Sequence, residues 1–269
     1  MLSNFALSIK ILKMERLQHN QMIKEQFAKQ AMGYSAVKAH GEALSTLIEM
    51  SGVHQNDQVL DLACGSGIVS CAFAKHAKHV TGIDITPEML DQARQLQTHN
   101  KLTNLDWVLA DVDPLPFMDH QFSIVVTRFS FHHFLSYEKV FEQMVRVCKP
   151  GGVVMVVDVA VPASKCSAYD QMEKLRDPSH TGVLTPQIFR HLFRHPLLTD
   201  FKTANYKMNI SLDTQLEASF MTDENRRQFR KMIYEDMHKN NLGVTASLVN
   251  NNYELYYPVH IYMATKTKT

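Results

Sequence analysis

The residue types that could do chemistry stand at the ends of short apolar runs. Asp61-Leu-Ala-Cys-Gly65-Ser-Gly67 separates a run that reads as a strand (58–63) from one that reads as a helix (68–77). Small residues at such a turn let a ligand approach the backbone and present N–H groups at a helix N-terminus. A Gly-x-Gly-x-x-Gly fingerprint would need Gly or Ala at position 70, where Ser70 stands, which argues against a dinucleotide pyrophosphate. Asp84 ends the next run, nineteen residues beyond Gly65. A carboxylate there can accept from both ribose hydroxyls. It could instead cap the following helix, although Thr86, with Pro87 behind it, suits that role. Asp111 follows a third run and can accept from an adenine amino group or be a solvated loop acid. Arg128 ends a fourth, and Phe129-Ser-Phe-His132-His133-Phe134 follows it. His132 and His133 are candidate general bases, His132 preferred, or the pair caps the next helix and touches only backbone. Adjacent side chains diverge and no acid ligand stands at helical spacing, so no metal site is expected.

These residues need a scaffold, and the runs supply one. Strands at 58–63, 79–84, 105–110, 122–127 and 153–159 alternate with helices, and most are near-continuous Val, Ile and Leu. That pattern predicts a parallel sheet covered on both faces, an α/β Rossmann-like doubly wound fold. Asp61, Asp84, Asp111 and Arg128 then lie along the carboxyl edge of the sheet, where such folds bind ligands. Lys149-Pro-Gly-Gly152 reads as a turn that aims the fifth strand. Residues 1–50 read as an N-terminal helical cap and 51–269 as the main domain. After residue 161 come helices at 167–175 and 186–193, a strand at 201–210 and a final strand at 258–264. The polar helical stretch 213–245, with Phe220, Met221, Phe229, Met232, Ile233, Tyr234 and Met237, reads as an insertion serving as a lid or a homodimer face. Tyr34 could close over the site. Tyr169 and His180 lie in the segment expected to roof it.

The chain has 269 residues, enough for one large core without disulfides or metal. Its net charge of +1 and the lack of a basic, aromatic-laced stretch disfavour a nucleic-acid partner. Cys64, Cys71, Cys148 and Cys166 contain no Cys-x-x-Cys pair and read as reduced thiols of a cytoplasmic protein. No run has the length of a membrane span, and no signal peptide is expected. Met14 offers an alternative start.

Asp61-Leu-Ala-Cys-Gly-Ser-Gly67, Gly82-Ile-Asp84, Pro87-Glu-Met-Leu-Asp-Gln-Ala93, Ala110-Asp-Val-Asp-Pro-Leu-Pro-Phe117 and Lys149-Pro-Gly-Gly152 occur in order. With them the chain resembles the class I S-adenosylmethionine-dependent methyltransferases, above all the ubiquinone/menaquinone C-methyltransferase-like (methyltransferase type 11) branch. The resemblance covers about residues 25–160; Cys64 departs from it, at a position often glycine. It implies a seven-stranded sheet with an antiparallel last strand, and S-adenosyl-L-methionine as methyl donor to a small-molecule acceptor. Asp61, Ala63, Gly65 and Gly67 would surround the methionine part of the cofactor. Asp84 would take the ribose, with Ile85 and Met89 against the adenine and Asp111 and Val112 on its edge. Arg128 would line the methyl-donor pocket, reaching a carboxylate of cofactor or substrate, and His132 would face the reacting methyl. Tyr34, His133 and Tyr169 would line the substrate pocket. An enzyme using the same cofactor for cyclisation or rearrangement, or a non-catalytic platform, are the alternatives. The intact acids and glycine turn weigh against the platform.

Overall fold

The computed structural model describes the backbone of residues 2–34 and 43–268, and the side chains of 13–31 and 43–268. Five strands run parallel: β1 (Gln58–Leu62), β2 (His79–Asp84), β3 (Leu105–Leu109), β4 (Phe122–Arg128) and β5 (Cys148–Val159). To them are added β6 (Leu198–Ser211), β7 (Thr245–Val249) and β8 (Asn252–Lys266). The order is β3-β2-β1-β4-β5-β8-β6, with β7 hairpinned onto β8. The doubly wound sheet with an antiparallel last strand is thus present, and β7 is an eighth strand beyond the seven expected.

The order reverses between β1 and β4, whose register pairs Asp61 with Val126 and Leu62 with Thr127. Crossovers leave a crevice at that point, outside the carboxyl ends of the strands. The strands are near-continuous buried Val, Ile and Leu because both faces are covered. One face carries α3 (Ile68–Ala74) and α4 (Pro87–His99); the other carries α5 (Tyr137–Val147) and α7 (Pro186–Leu192). Two glycines are fixed by this packing. A Cβ on Gly67 would come 2.6 Å from the Trp107 ring, and one on Gly82 would come 2.5 Å from it.

The N-terminal reading is refined. A single helix, α1 (Leu2–Tyr34), runs before α2 (Leu44–Ser51). Tyr34 lies outside the residues whose side chains are described. The insertion forms α8 (Leu212–Ala218) and α9 (Asp223–Asp236), and its apolar stripe is mainly core. Phe229 and Ile233 are fully buried and α9 packs on α6 (Ala163–Arg176), whereas Phe220 and Tyr234 are exposed. Among the described residues no helix is long and apolar enough to cross a membrane, and all four cysteines are free.

Candidate active site

A cavity of about 630 Å³ opens at the crevice, within the usual ~300–1,000 Å³ of small-molecule sites. Its floor is the set of strand ends. After β1 the chain turns through Ala63 and Gly65, at φ 53° and 50°, so the Cys64–Ser66 backbone faces the cavity. A Cβ on Gly65 would meet nothing within 4 Å, because that face is open. Ala63 and Phe129, which follows β4 at φ 56°, are non-glycine residues held in the left-handed region at the cavity rim. Such strain collects where a ligand is clamped.

Asp84 is the fixed point. One carboxylate oxygen accepts from Gly65 N and the other from Thr86 N, each at 2.8 Å. Burial pushes its pKa up, and these N–H groups pull the other way. Thr86 stands at the N-cap of α4 with Pro87 behind it but makes no side-chain cap bond, and its own N–H goes to Asp84. Asp84 lines the cavity, and these two bonds do not exhaust the acceptor capacity of a carboxylate. Ile85, Met89, Val112 and Asp111 line the same cavity, as does Ser66, whose buried Oγ has no partner. Asp111 does not stand free, since its Oδ2 accepts from Arg16 and Asn20 of α1, both at 2.6 Å. Through Lys13, Arg16, His19, Ile23 and Phe27 the same helix roofs the cavity.

Two residues of the glycine motif stand behind the site. Gly67 does not line the cavity, and its role is the packing against Trp107. Asp61 is buried and accepts from Ser70 Oγ at 2.5 Å. Burial, with Asp84 nearby, pushes its pKa up to about 7 despite that hydrogen bond. It braces the turn and does not contact the cavity. Arg128 lines the wall, donates to Tyr206 at 2.8 Å and stacks over Phe129 at 4.4 Å.

The paired histidines diverge, as adjacent side chains must. His132 faces away from the large cavity, into a separate small one of about 70 Å³ that Tyr169 also lines. Its Nδ1 meets Asp158 at 2.8 Å. Burial opposes its charge, but the Asp158 carboxylate overcomes this and holds its pKa above the usual value. His133 lines both cavities. Burial first, then neighbouring His132, pushes it down to about 3. His180 is buried against Asp170 at 2.7 Å and lines neither cavity.

Residues 60–156 match a family described as a methyltransferase domain. The uncharacterized methyltransferase YcgJ of Bacillus subtilis (strain 168) is 30% identical over 158 residues, 57% of this chain and 62% of that protein. Its crystal structure superposes at a TM-score of 0.76, with 21% identity, covering 84% of this chain and 99% of that one. The ubiquinone/menaquinone biosynthesis C-methyltransferase UbiE of Proteus mirabilis (strain HI4320) is 33% identical over 134 residues, 48% of this chain and 51% of UbiE. The chain therefore matches less than two thirds of the length of either relative. Phosphoethanolamine N-methyltransferase 2 of Haemonchus contortus, solved with S-adenosyl-L-methionine, superposes at 0.62 with 16% identity, covering 84% of this chain and 52% of that one.

Several residues of the cavity and its roof escaped the sequence reading. Ser66 was in plain view inside the glycine motif. Asp158 carried a signal too, as the one acid in the apolar run 153–161. Arg16, Asn20 and Gln30 carried none, because their partners and cavities lie some 90 residues or more away in the chain.

Proposed function

We propose that the chain is an S-adenosyl-L-methionine-dependent methyltransferase acting on a small molecule, releasing S-adenosyl-L-homocysteine. The observation that carries this is Asp84, pinned by Gly65 N and Thr86 N with its carboxylate lining a cavity floored by open glycine backbone. The donor set fits the cofactor. Asp84 would take the ribose hydroxyls, and Ile85, Met89 and Val112 the adenine faces. Asp111 would take the adenine edge through Oδ1, which Arg16 and Asn20 leave and which also accepts from Asp113 N at 3.2 Å. Ala63, Gly65 and the partnerless Ser66 hydroxyl would take the amino-acid end. Arg128 would hold a carboxylate, with Tyr206 fixing its planar fork. When bound, the cofactor supplies an electrophilic methyl on a sulfonium, so the protein's part is orientation, a dry pocket and management of the acceptor's proton. Roofing by α1 meets the second need. Arg128, as a cation, would have to sit away from the sulfonium, since like charges repel.

The test is calorimetric titration with S-adenosyl-L-homocysteine, followed by incubation of the protein with methyl-labelled S-adenosyl-L-methionine and a metabolite extract. Binding and a labelled product heavier by one methyl-for-hydrogen exchange are expected. Absence of binding overturns the reading. Binding with an unlabelled, rearranged product would move it to the cyclase-like alternative.

A further inference from the structure

The face that α1 turns to the large cavity changes character along its length. Lys13, Arg16 and Asn20 are polar, and the last two are tied to Asp111 at 2.6 Å each. Ile23 and Phe27, about one and two turns beyond His19, are apolar. His19 stands at the change. Among the described residues two histidines line this cavity, His19 and His133. His133 is a poor proton acceptor, because burial pushes it down to about 3 and its Nδ1 already meets Ser179 O and Oγ at 3.2 Å. His132 faces the other cavity.

His19 is half-buried, and its Nε2 lies 2.7 Å from the carbonyl oxygen of His133. A carbonyl only accepts, so Nε2 carries the proton. Nδ1 is then the lone-pair nitrogen, and among the described residues nothing else bonds the ring. One contact thus fixes both tautomer and orientation, as the partner of a catalytic imidazole does. A latch between α1 and the turn after β4 would need only the donor, which an amide supplies as well.

We propose that His19 is the general base of methyl transfer, and that the acceptor is an uncharged hydroxyl compound seated against Ile23, Phe27, Phe129 and Phe134. All four line the cavity that would also hold the methyl donor. The acceptor hydroxyl donates to His19 Nδ1. As its oxygen bonds the methyl carbon, the carbon–sulfur bond breaks with the electron pair going to sulfur, and the hydroxyl proton passes to Nδ1. The imidazolium then releases that proton to solvent at the rim, where Lys139 is exposed. An ammonium acceptor is disfavoured, because Arg128 and Lys139 stand on the same walls. Lys13 and Glu15, the remaining charged pair of the roof, offset one another. The assignment rests on the methyl-transfer reading and adds the base and the class of acceptor.

Two readouts test it. The first needs no acceptor. Nitrogen-15 NMR of the protein saturated with S-adenosyl-L-homocysteine, with His19 assigned by its loss in His19→Gln, is expected to show the neutral ring protonated on Nε2 and bare on Nδ1. The opposite tautomer overturns the proposal. The second uses methyl-labelled S-adenosyl-L-methionine and a deproteinised metabolite extract, with products read by mass spectrometry. His19→Gln keeps a donor for the His133 carbonyl and removes the base. It should bind S-adenosyl-L-homocysteine as the parent does, which reports folding and an intact roof, while forming a labelled methyl ether about 10²–10⁴-fold more slowly. His19→Ala leaves space for the missing ring, and added imidazole should restore part of its rate. Parent-like product formation in His19→Gln, a rate loss no greater than the loss of S-adenosyl-L-homocysteine affinity, or no rescue of His19→Ala overturns the base. A parent that binds S-adenosyl-L-homocysteine but labels no hydroxyl compound overturns the acceptor class. If S-adenosyl-L-homocysteine does not bind the parent, the methyl-transfer reading itself falls, whichever tautomer His19 shows.

Discussion

The floor of the large cavity and the wall of the small one are made from different materials. The floor consists of the ends of β1 to β4, and its ligand-facing groups are backbone N–H and C=O together with a few short side chains. Their positions follow from sheet register, since β1 pairs with β2 and β4 residue by residue and Asp84 ties the first turn to the second. The small cavity draws Gln30, His132, Tyr169, Gln215 and Tyr257 from α1, the turn after β4, α6, α8 and β8. Its shape depends on side-chain packing between elements that no ladder fixes. A backbone-built site is hard to alter without breaking the sheet, whereas a side-chain wall can be reshaped one residue at a time. The neighbouring histidines show the contrast at closest range. His132, paired with Asp158, keeps its proton above the usual pH, while His133, a residue on, is pushed to about 3.

Breaking the base gives the largest expected effect. His19→Gln should slow turnover by about 10²–10⁴-fold, the usual contribution of a general base, with S-adenosyl-L-homocysteine affinity unchanged. A base works only when neutral, so activity should fall away on an acid limb. His132, whose pKa lies above 6.5, faces the other cavity and should not set that limb. Asp158→Asn removes the charge that raises the His132 pKa and leaves burial, which lowers it. The acid limb should nevertheless stay in place. Stopped-flow or discontinuous assays across pH 5.5–9 decide this. An acid limb that moves to lower pH in Asp158→Asn would return the base role to His132.

How much was readable beforehand follows the same division. Asp84, Asp111, Arg128 and the Gly65 turn were legible because the residues act where a strand ends, and apolar runs mark strand ends. Thr86 takes the N-cap position read for it, without a side-chain bond, whereas the tie of its N–H to Asp84 two positions earlier was not legible. Gly67 looked like a ligand contact because a glycine needed for a ligand and one needed for Trp107 are the same letter. Placing His132 in the second cavity required Asp158, 26 residues on, to turn the ring.

Breaking the floor comes next. Asp84→Ala should weaken S-adenosyl-L-homocysteine by about 1.5–3 kcal/mol, the scale of hydrogen bonds to a charged group. Because burial raises the Asp84 pKa, affinity in the parent should also decline as pH falls toward that raised value, and this limb should vanish in the variant. Calorimetry at pH 5 and pH 7.5 measures both. The two glycines of the turn then separate scaffold from site. Gly67→Ala drives a Cβ to 2.6 Å from Trp107 at φ 77° and should cost about 1–3 kcal/mol of stability, as overpacking does. Gly65→Ala meets no neighbour and should cost stability only the ~1–2 kcal/mol of left-handed backbone. Its added methyl stands on the open floor, so its greater loss should be in cofactor affinity. Equal losses of both kinds in the two variants would erase the distinction.

The smallest effect sharpens the comparison most, because it concerns the seam between floor and roof. Arg16 reaches Asp111 at 2.6 Å and Asp113 at 3.2 Å, with all three side chains about a quarter to a third exposed. Partly solvated pairs contribute about 0–1 kcal/mol, so Arg16→Ala should lower the unfolding free energy by no more than that. Its consequence for the ligand depends on how Asp111 is used. If Arg16 only holds α1 over the cavity, its removal should speed release of S-adenosyl-L-homocysteine, and the parent's release should quicken with salt while the variant's stays flat. If Arg16 competes with the adenine edge for the Asp111 carboxylate, the variant should bind more tightly. The roof reading predicts the first. Tighter binding in Arg16→Ala would mean that α1 opposes the cofactor, and that the helix has to shift before the floor can be filled.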